Sequence, residues 1–265
     1  MSTTAKPYVA VGLSSPQIES LLDDPALLAR LDELPLAYTV VGTERLVPSV
    51  ERGRTLESSV AGALLASRTR HARFLIATTA EHDHPYNLAR RVASLGHLSR
   101  GRSGLLLGDS ESGAPVPVIA RAIRALEGSW PFESVIADRD TGIFVQSDRI
   151  EHVDLDGVYR IAGPLTVPQP ATGPSVIGWF NGPAVLDVSI AGVIDLTVGD
   201  TGTGVLLAEP DRAVGDLLDE AQELLQDARA IPPGGSLRAA LDLPTPPRIV
   251  GRPAFARPEP LAVSR

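Results

Sequence analysis

Short apolar runs alternate with helix-period segments along most of this chain, and that alternation restricts its architecture more than any other feature. Tyr8–Leu13 (YVAVGL), Tyr38–Val41, Arg73–Thr78 (RFLIAT), Gly104–Gly108 (GLLLG), Ser175–Phe180 and Val193–Val198 (VIDLTV) read as strands buried on both faces. Helical patterns lie between them. Residues 16–33 carry Leu21, Leu22, Leu28 and Leu31; residues 55–68 carry Leu56, Val60 and Leu64; residues 115–127 carry Val118, Ile119, Ala122, Ile123 and Leu126. Residues 211–230 give the clearest stripe, with Val214, Leu217, Leu218, Ala221, Leu224 and Leu225 on one face. Strand–helix–strand repetition predicts a parallel α/β fold. Asp156-Gly157, between HVDL and VYRI, predicts a two-residue turn that makes residues 151–161 an antiparallel hairpin.

Composition narrows the function classes. The 265 residues suit one (β/α)₈ barrel, for which about 250 is typical. With 24 basic and 32 acidic residues the formal charge is −8, so neither nucleic acid nor an anionic membrane surface is expected as a partner. The absence of cysteine removes disulfides, a thiol nucleophile and thiolate metal ligands. There is no run of about 18 apolar residues and no basic segment leading into an apolar one at the N-terminus, so a soluble cytoplasmic protein is expected. Two regions are expected: a barrel over 1–231 and a tail over 232–265, which holds eight prolines in 34 residues and one possible short helix at Ser236–Leu241. Such a tail is either disordered or an arm across the barrel or a partner subunit, and Phe255 and Leu261 favour partial docking.

The segment HDHPYNLARRVASLGHLSRGRSG, residues 82–104, joins a helix start, an amphipathic helix and a glycine-bounded turn. Pro85 suits the first helical position, where its missing N–H is not needed, and Asp83 or His84 can cap it. Leu88, Val92 and Leu95 would face a core, and the helix should stop near Ser99–Gly101. The free N–H groups at such a helix start favour an anion, but taken alone His84 reads as a cap and Tyr86 as a packed ring. His82 and His84 with Glu81 and Asp83 lack the further ligands a metal site needs, so no metal is assigned. GDTGTG at 199–204 has neither phosphate-loop nor dinucleotide spacing and reads as a turn. Asp138, Arg139 and Asp140 read as a solvated loop.

Two stretches carry a family resemblance. Thr55–Gly104, with HPYNLAR followed by ASLGHLSRGR, resembles the bacterial luciferase-like flavin monooxygenases, in particular the nitrilotriacetate and dibenzothiophene-sulfone monooxygenase branch. Trp130–Ile177, ending in GPLTVPQPATGPSVI, is similar to a downstream segment of the same family in the same order. The resemblance implies a (β/α)₈ TIM barrel that binds reduced FMN at the C-terminal end of its strands and uses oxygen to oxidise a small organic substrate. The flavin carries the difficult chemistry and the protein orients it. Coenzyme F420 is the alternative cofactor, since related barrels use it. By motif position the resemblance assigns cofactor contacts to His84 and Tyr86, to Thr78 or Thr79 at the end of RFLIATT, and to Asn181 and the Gly182 backbone. Arg90 is implied to anchor a neighbouring loop or carboxylate. A flavin reductase partner and a homodimer are further expectations.

The chain also departs from the family. Leu105 and Leu106 stand where a tryptophan and an asparagine are usual, and YTVVGTE lacks the usual aspartate, with Glu44 the nearest substitute. GWFNGPA, with bulky Trp179 and Phe180, replaces a small glycine- and serine-rich phosphate loop. Beyond Val198 there is one strand candidate at Gly204–Ala208, one strong helix and the tail, which leaves room for an incomplete barrel. Two functions therefore stand side by side: an FMN-dependent monooxygenase, and a divergent relative that binds or assembles without its own turnover.

Overall fold

The computed structural model describes residues 6–46, 55–79, 83–110, 114–186, 190–200, 204–249 and 251–260. Seven strands form one sheet: β1 (Tyr8–Leu13), β2 (Thr39–Val41), β3 (Phe74–Thr79), β4 (Ser103–Gly108), β7 (Val176–Phe180), β8 (Leu196–Val198) and β9 (Gly204–Leu207). Their order is β8-β7-β4-β3-β2-β1-β9, and every pairing is parallel. The sheet curls into a barrel that is nearly closed, with β8 and β9 as its two edges. Only residues 199–203 connect those edges, too few for another strand and helix. The incomplete barrel expected from the short C-terminal half is thus what forms.

Alternation along each strand sorts side chains into two cores. Val9, Val11, Leu13, Phe74, Ile76, Leu105, Leu107 and Ile177 face the helices, while Ala10, Val40, Leu75, Ala77, Leu106, Val176 and Val198 fill the lumen. Being buried on both sides is why these strands read as unbroken apolar runs. The helices α3 (Ser58–Arg68), α4 (Pro85–Ser99) and α5 (Val116–Ser129) pack side by side on the outer face, and α6 (Val214–Leu224) lies against β1.

Three local expectations are corrected. The periodic stretch 16–33 is two helices, α1 (Ser15–Asp23) and α2 (Pro25–Glu33), because Pro25 cannot continue α1 and Asp24 instead accepts the Ala26 and Leu27 N–H groups at 2.9 and 3.2 Å. The hairpin exists as β5 (Asp154–Leu155) with β6 (Ile161–Ala162), but its loop spans 156–160 rather than Asp156-Gly157. Tyr159 leaves the ladder to meet His84 edge-on, with ring centroids 5.3 Å apart. The strand expected over Val193–Val198 begins only at Leu196, since Val193 and Ile194 close a turn on the Ile190 carbonyl, each at 2.9 Å.

The proline-rich segment crosses the N-terminal face of the barrel. Just before it, the Arg229 N–H donates to Pro7 O at 2.7 Å and the Ile231 N–H to Pro35 O at 3.0 Å, and within it the Leu237 N–H donates to Gly101 O at 2.8 Å, so the chain here bonds to the residues leading into β1, β2 and β4. Ile231 and Leu237 enter the lumen core and close it from below. The expected short helix forms as α7 (Leu237–Ala240), capped by Ser236. Further along, Arg252 O and the Ala254 N–H pair with His152 and Ile150, each at 2.7 Å. Leu261 lies outside the described residues.

Candidate functional site

The C-terminal strand ends form the mouth of the barrel, the end at which such folds carry their sites. Thr78 and Thr79 end β3 opposite Leu107 and Gly108 of β4. Leu75 and Ala77 belong to the lumen core, so alternation turns Thr79 into the lumen and Thr78 toward α3 and α4. Thr78 there lines a narrow gap with Glu57, Asp83 and Arg91. Leu106 is fully buried in the lumen, and Phe180, at the end of β7, packs on the same cluster. Trp179 points the opposite way, its Nε1 donating to Asp109 Oδ2 at 3.3 Å.

His84 and Tyr86 stand at the start of α4. His84 is exposed, and its Nδ1 accepts the Tyr86 N–H at 3.3 Å, so it is the cap expected of it. The Tyr86 hydroxyl donates to Pro164 O at 3.4 Å. Both side chains therefore face the β5–β6 hairpin and the turn that follows it. The anchoring role expected of Arg90 falls to its neighbour: Arg91 Nη1 donates to Asp83 Oδ2 at 2.6 Å and Glu57 Oε1 at 3.4 Å, whereas Arg90 is exposed. Helical spacing puts Arg91, not Arg90, on the α3 side. Burial acts to raise the Glu57 carboxyl, but the Ser59 hydroxyl, the Val60 and Ser59 N–H groups and the Arg91 charge outweigh it and hold it below the usual carboxylate range. Glu81 and His82 lie outside the described residues.

Asn181 adopts a left-handed conformation (φ 51°) just after β7. Its N–H donates to Val198 O at 2.7 Å, and its Oδ1 accepts the Asp200 N–H at 3.3 Å. Gly182 is buried beside Trp179, where a Cβ would lie 2.6 Å from the indole. Its backbone thus sits on the outer side of the strand end.

A cavity of about 490 Å³ opens at the seam between β8 and β9. Glu44 and Leu46 follow β2 into it, Phe180 and Asn181 reach it from β7, Asp200 from β8 and Leu206 from β9. Of the six cofactor residues expected from the sequence it gathers only Asn181; His84, Tyr86, Thr78, Thr79 and Gly182 are not among its lining. Glu44 Oε1 accepts the Ser15 N–H at 3.2 Å and the Ser15 hydroxyl. Its Oε2 is buried without a hydrogen-bond partner among the described residues. The described lining holds two carboxylates, Glu44 and Asp200, and no Lys, Arg or His. Asp200 and Leu206 were not anticipated, although a carboxylate just past the VIDLTV strand is the signal that points there.

Among the described residues, neither the start of α4 nor the seam cavity offers the free N–H donors or cations that hold the phosphate of a flavin mononucleotide. At the start of α4 the Tyr86 N–H is taken by His84 Nδ1, and the Asn87 and Leu88 N–H groups by His84 O at 2.9 and 3.2 Å. At the seam cavity the described charges are negative.

The sequence profile of the Luciferase-like monooxygenase family matches residues 5–193, which contain β1 to β7 and the hairpin. The chain belongs to the luciferase-like monooxygenase family. This luciferase-like chain is 28% identical over 182 residues to a pristinamycin IIA synthase component from Streptomyces pristinaespiralis, covering 61% of the chain and 65% of that protein. It is 27% identical over 141 residues to the dibenzothiophene-sulfone monooxygenase of Rhodococcus erythropolis, covering 46% of the chain and 31% of the relative. The chain thus spans from about a third to just under two thirds of these curated relatives. EDTA monooxygenase (EmoA) from Chelativorans sp. BNC1 has the same fold, with a TM-score of 0.54 at 16% identity over 83% of this chain and 67% of that one. Among the described residues no helix is long and apolar enough to cross a membrane.

Proposed function

We propose that this chain takes part in the monooxygenation of a small organic molecule, as one component of a luciferase-like monooxygenase, and that its own barrel mouth holds the organic molecule rather than a flavin phosphate. The observation that carries this reading is the seam cavity, large enough for a drug-sized molecule yet acidic along its described lining. Leu106 and Phe180 add apolar surface to the mouth and supply no polar contact to a flavin ring. The Streptomyces relative, itself named as one subunit of a synthase, supports a role as one component among others.

The second reading is a self-sufficient enzyme that uses reduced FMN and oxygen, or coenzyme F420, at this same barrel. It is favoured by the HPYNLAR motif at the β3–α4 junction and by Thr79 turned into the lumen. His84, Tyr86, Thr79 and Asn181 would then be the cofactor residues, with a flavin reductase as supplier and a homodimer as the assembly. When bound, the flavin would supply the oxygen chemistry.

Fluorescence titration of the purified chain with FMN and with reduced FMN separates the two. No saturation at high micromolar flavin is the expected result. Saturable binding that His84→Ala or Tyr86→Phe weakens by tenfold or more would overturn the component reading in favour of the second.

A further inference from the structure

The chain has five phenylalanines, and three of them stand exposed on neighbouring segments: Phe132 at 40%, Phe144 at 66% and Phe255 at 53%. Ile136 joins them at 39%. We propose that the face they form is a two-fold interface between two copies of this chain. Val135 pairs antiparallel with Val145, and the Ile136 and Ala137 N–H groups both donate to Phe144 O, at 3.0 and 2.9 Å, which makes residues 135–145 a small hairpin. Just past its base the Ser147 hydroxyl donates to Ala256 O at 2.7 Å and so holds Phe255 beside it. At the tip Asp138 accepts the Asp140 N–H at 2.9 Å and the Thr141 hydroxyl at 2.7 Å. The apolar side chains therefore stand on an ordered frame without being packed, which lowers the ordering cost of pairing.

Exposed apolar residues that cluster rather than scatter mark an interaction surface, and here the charges say what fits it. The hairpin tip carries Asp138 and Asp140 around a single Arg139, whereas residues 251–258 carry Arg252 and Arg257 and no acid. Asp140 and Arg257 are both exposed. A face with an acidic end and a basic end complements itself when a second copy is turned about a two-fold axis, the tip of each meeting the basic segment of the other. The phenylalanines between those ends then lose water together. Phe132 follows the C-terminal end of α5, at the opposite end of the barrel from the mouth, so pairing leaves the mouth accessible whichever molecule it holds.

Sedimentation equilibrium of the purified full chain tests the interface, with circular dichroism confirming that each variant is folded. The parent is expected to form a dimer of the 27.9 kDa chain at micromolar concentration. Phe144→Glu and Phe255→Glu should each weaken it at least tenfold, and Val60→Glu, on the exposed side of α3, should leave it unchanged. Asp140→Arg and Arg257→Asp should each weaken self-association severalfold, because like charges then meet twice across the axis. An equimolar mixture of those two variants should pair as tightly as the parent, since both contacts are opposite in sign again. A parent that stays monomeric at high micromolar concentration overturns the proposal. So does a dimer that both phenylalanine substitutions leave intact, one that Val60→Glu dissociates, or a mixture of the charge variants that pairs no better than either alone.

Discussion

Arg238 grips Asp195 with both ends of its guanidinium group, Nη1 to Oδ1 at 2.7 Å and Nη2 to Oδ2 at 3.0 Å. The pair joins α7, in the proline-rich segment, to the residue that leads into β8. Arg124 from α5 binds the same carboxylate, and the Ile177 N–H donates to it at 2.7 Å. Arg124 also reaches Glu127 at 3.3 Å, so two guanidinium groups meet two carboxylates away from water. The network ties one edge of the open sheet to its outer helix and to the segment beneath it.

Breaking that network should be expensive. Asp195→Asn leaves two buried guanidinium groups facing a neutral partner, and losing one member of a buried charge cluster costs about 3–5 kcal/mol. The expected outcome in urea unfolding is a loss of unfolding free energy of that size, with Arg238→Ala at the lower end because Arg124 still neutralises Asp195. A loss below about 1 kcal/mol in both would show that the segment does not hold the sheet edge.

Asp32 predicts a pH dependence of stability. Burial acts to raise its pKa, but the backbone N–H groups of Arg70, Ala72 and His71 and the charge of His71 lower it overall. Asp32 accepts those N–H groups at 2.7–3.1 Å and so fixes the turn that leads into β3. A carboxylate lowered in the folded state stabilises fully above its unfolded value of about 3.9, and the contribution is lost as pH falls through the folded value. Asp32→Asn should therefore be less stable than the parent at pH 7, with the gap closing below about pH 4. A gap that stays constant from pH 7 to pH 3, read by thermal unfolding, would reject this role.

Leu106 connects stability to the site. Leu106→Ala removes a fully buried side chain from the lumen and should cost about 2–5 kcal/mol, as core truncations to alanine do. The space it leaves lies beneath the mouth, so FMN titration of this variant has diagnostic value. If the lumen filling is what excludes the flavin ring, Leu106→Ala gains measurable binding that the parent lacks. Unchanged absence of binding would place the obstacle at the phosphate instead.

Much of the architecture is legible in local composition. The strands over Tyr8–Leu13, Arg73–Thr78 and Gly104–Gly108 announce themselves because burial on both faces keeps their central positions apolar. Pro85 and His84 mark the start of α4 because cap chemistry is local. Where the sequence misleads, a partner distant in the chain has intervened: Tyr159 leaves its ladder for His84, and Arg91 takes the role expected of Arg90 because Asp83 and Glu57 both lie on its side of the helix. The cavity was not legible at all. Glu44, Asn181, Asp200 and Leu206 belong to four different strand ends, and no spacing in the chain links them.

By itself the sequence determined the parallel α/β class, the family and the helix start at Pro85, since each depends on neighbouring residues or on a motif carried in order along the chain. Only the tertiary structure decided that the barrel stays open between β8 and β9, that the proline-rich segment closes it from below, and that Glu44 and Asp200 face one cavity. Those outcomes depend on which strand edges pair and which side chains lose water together, and both are set by contacts between residues far apart in the chain.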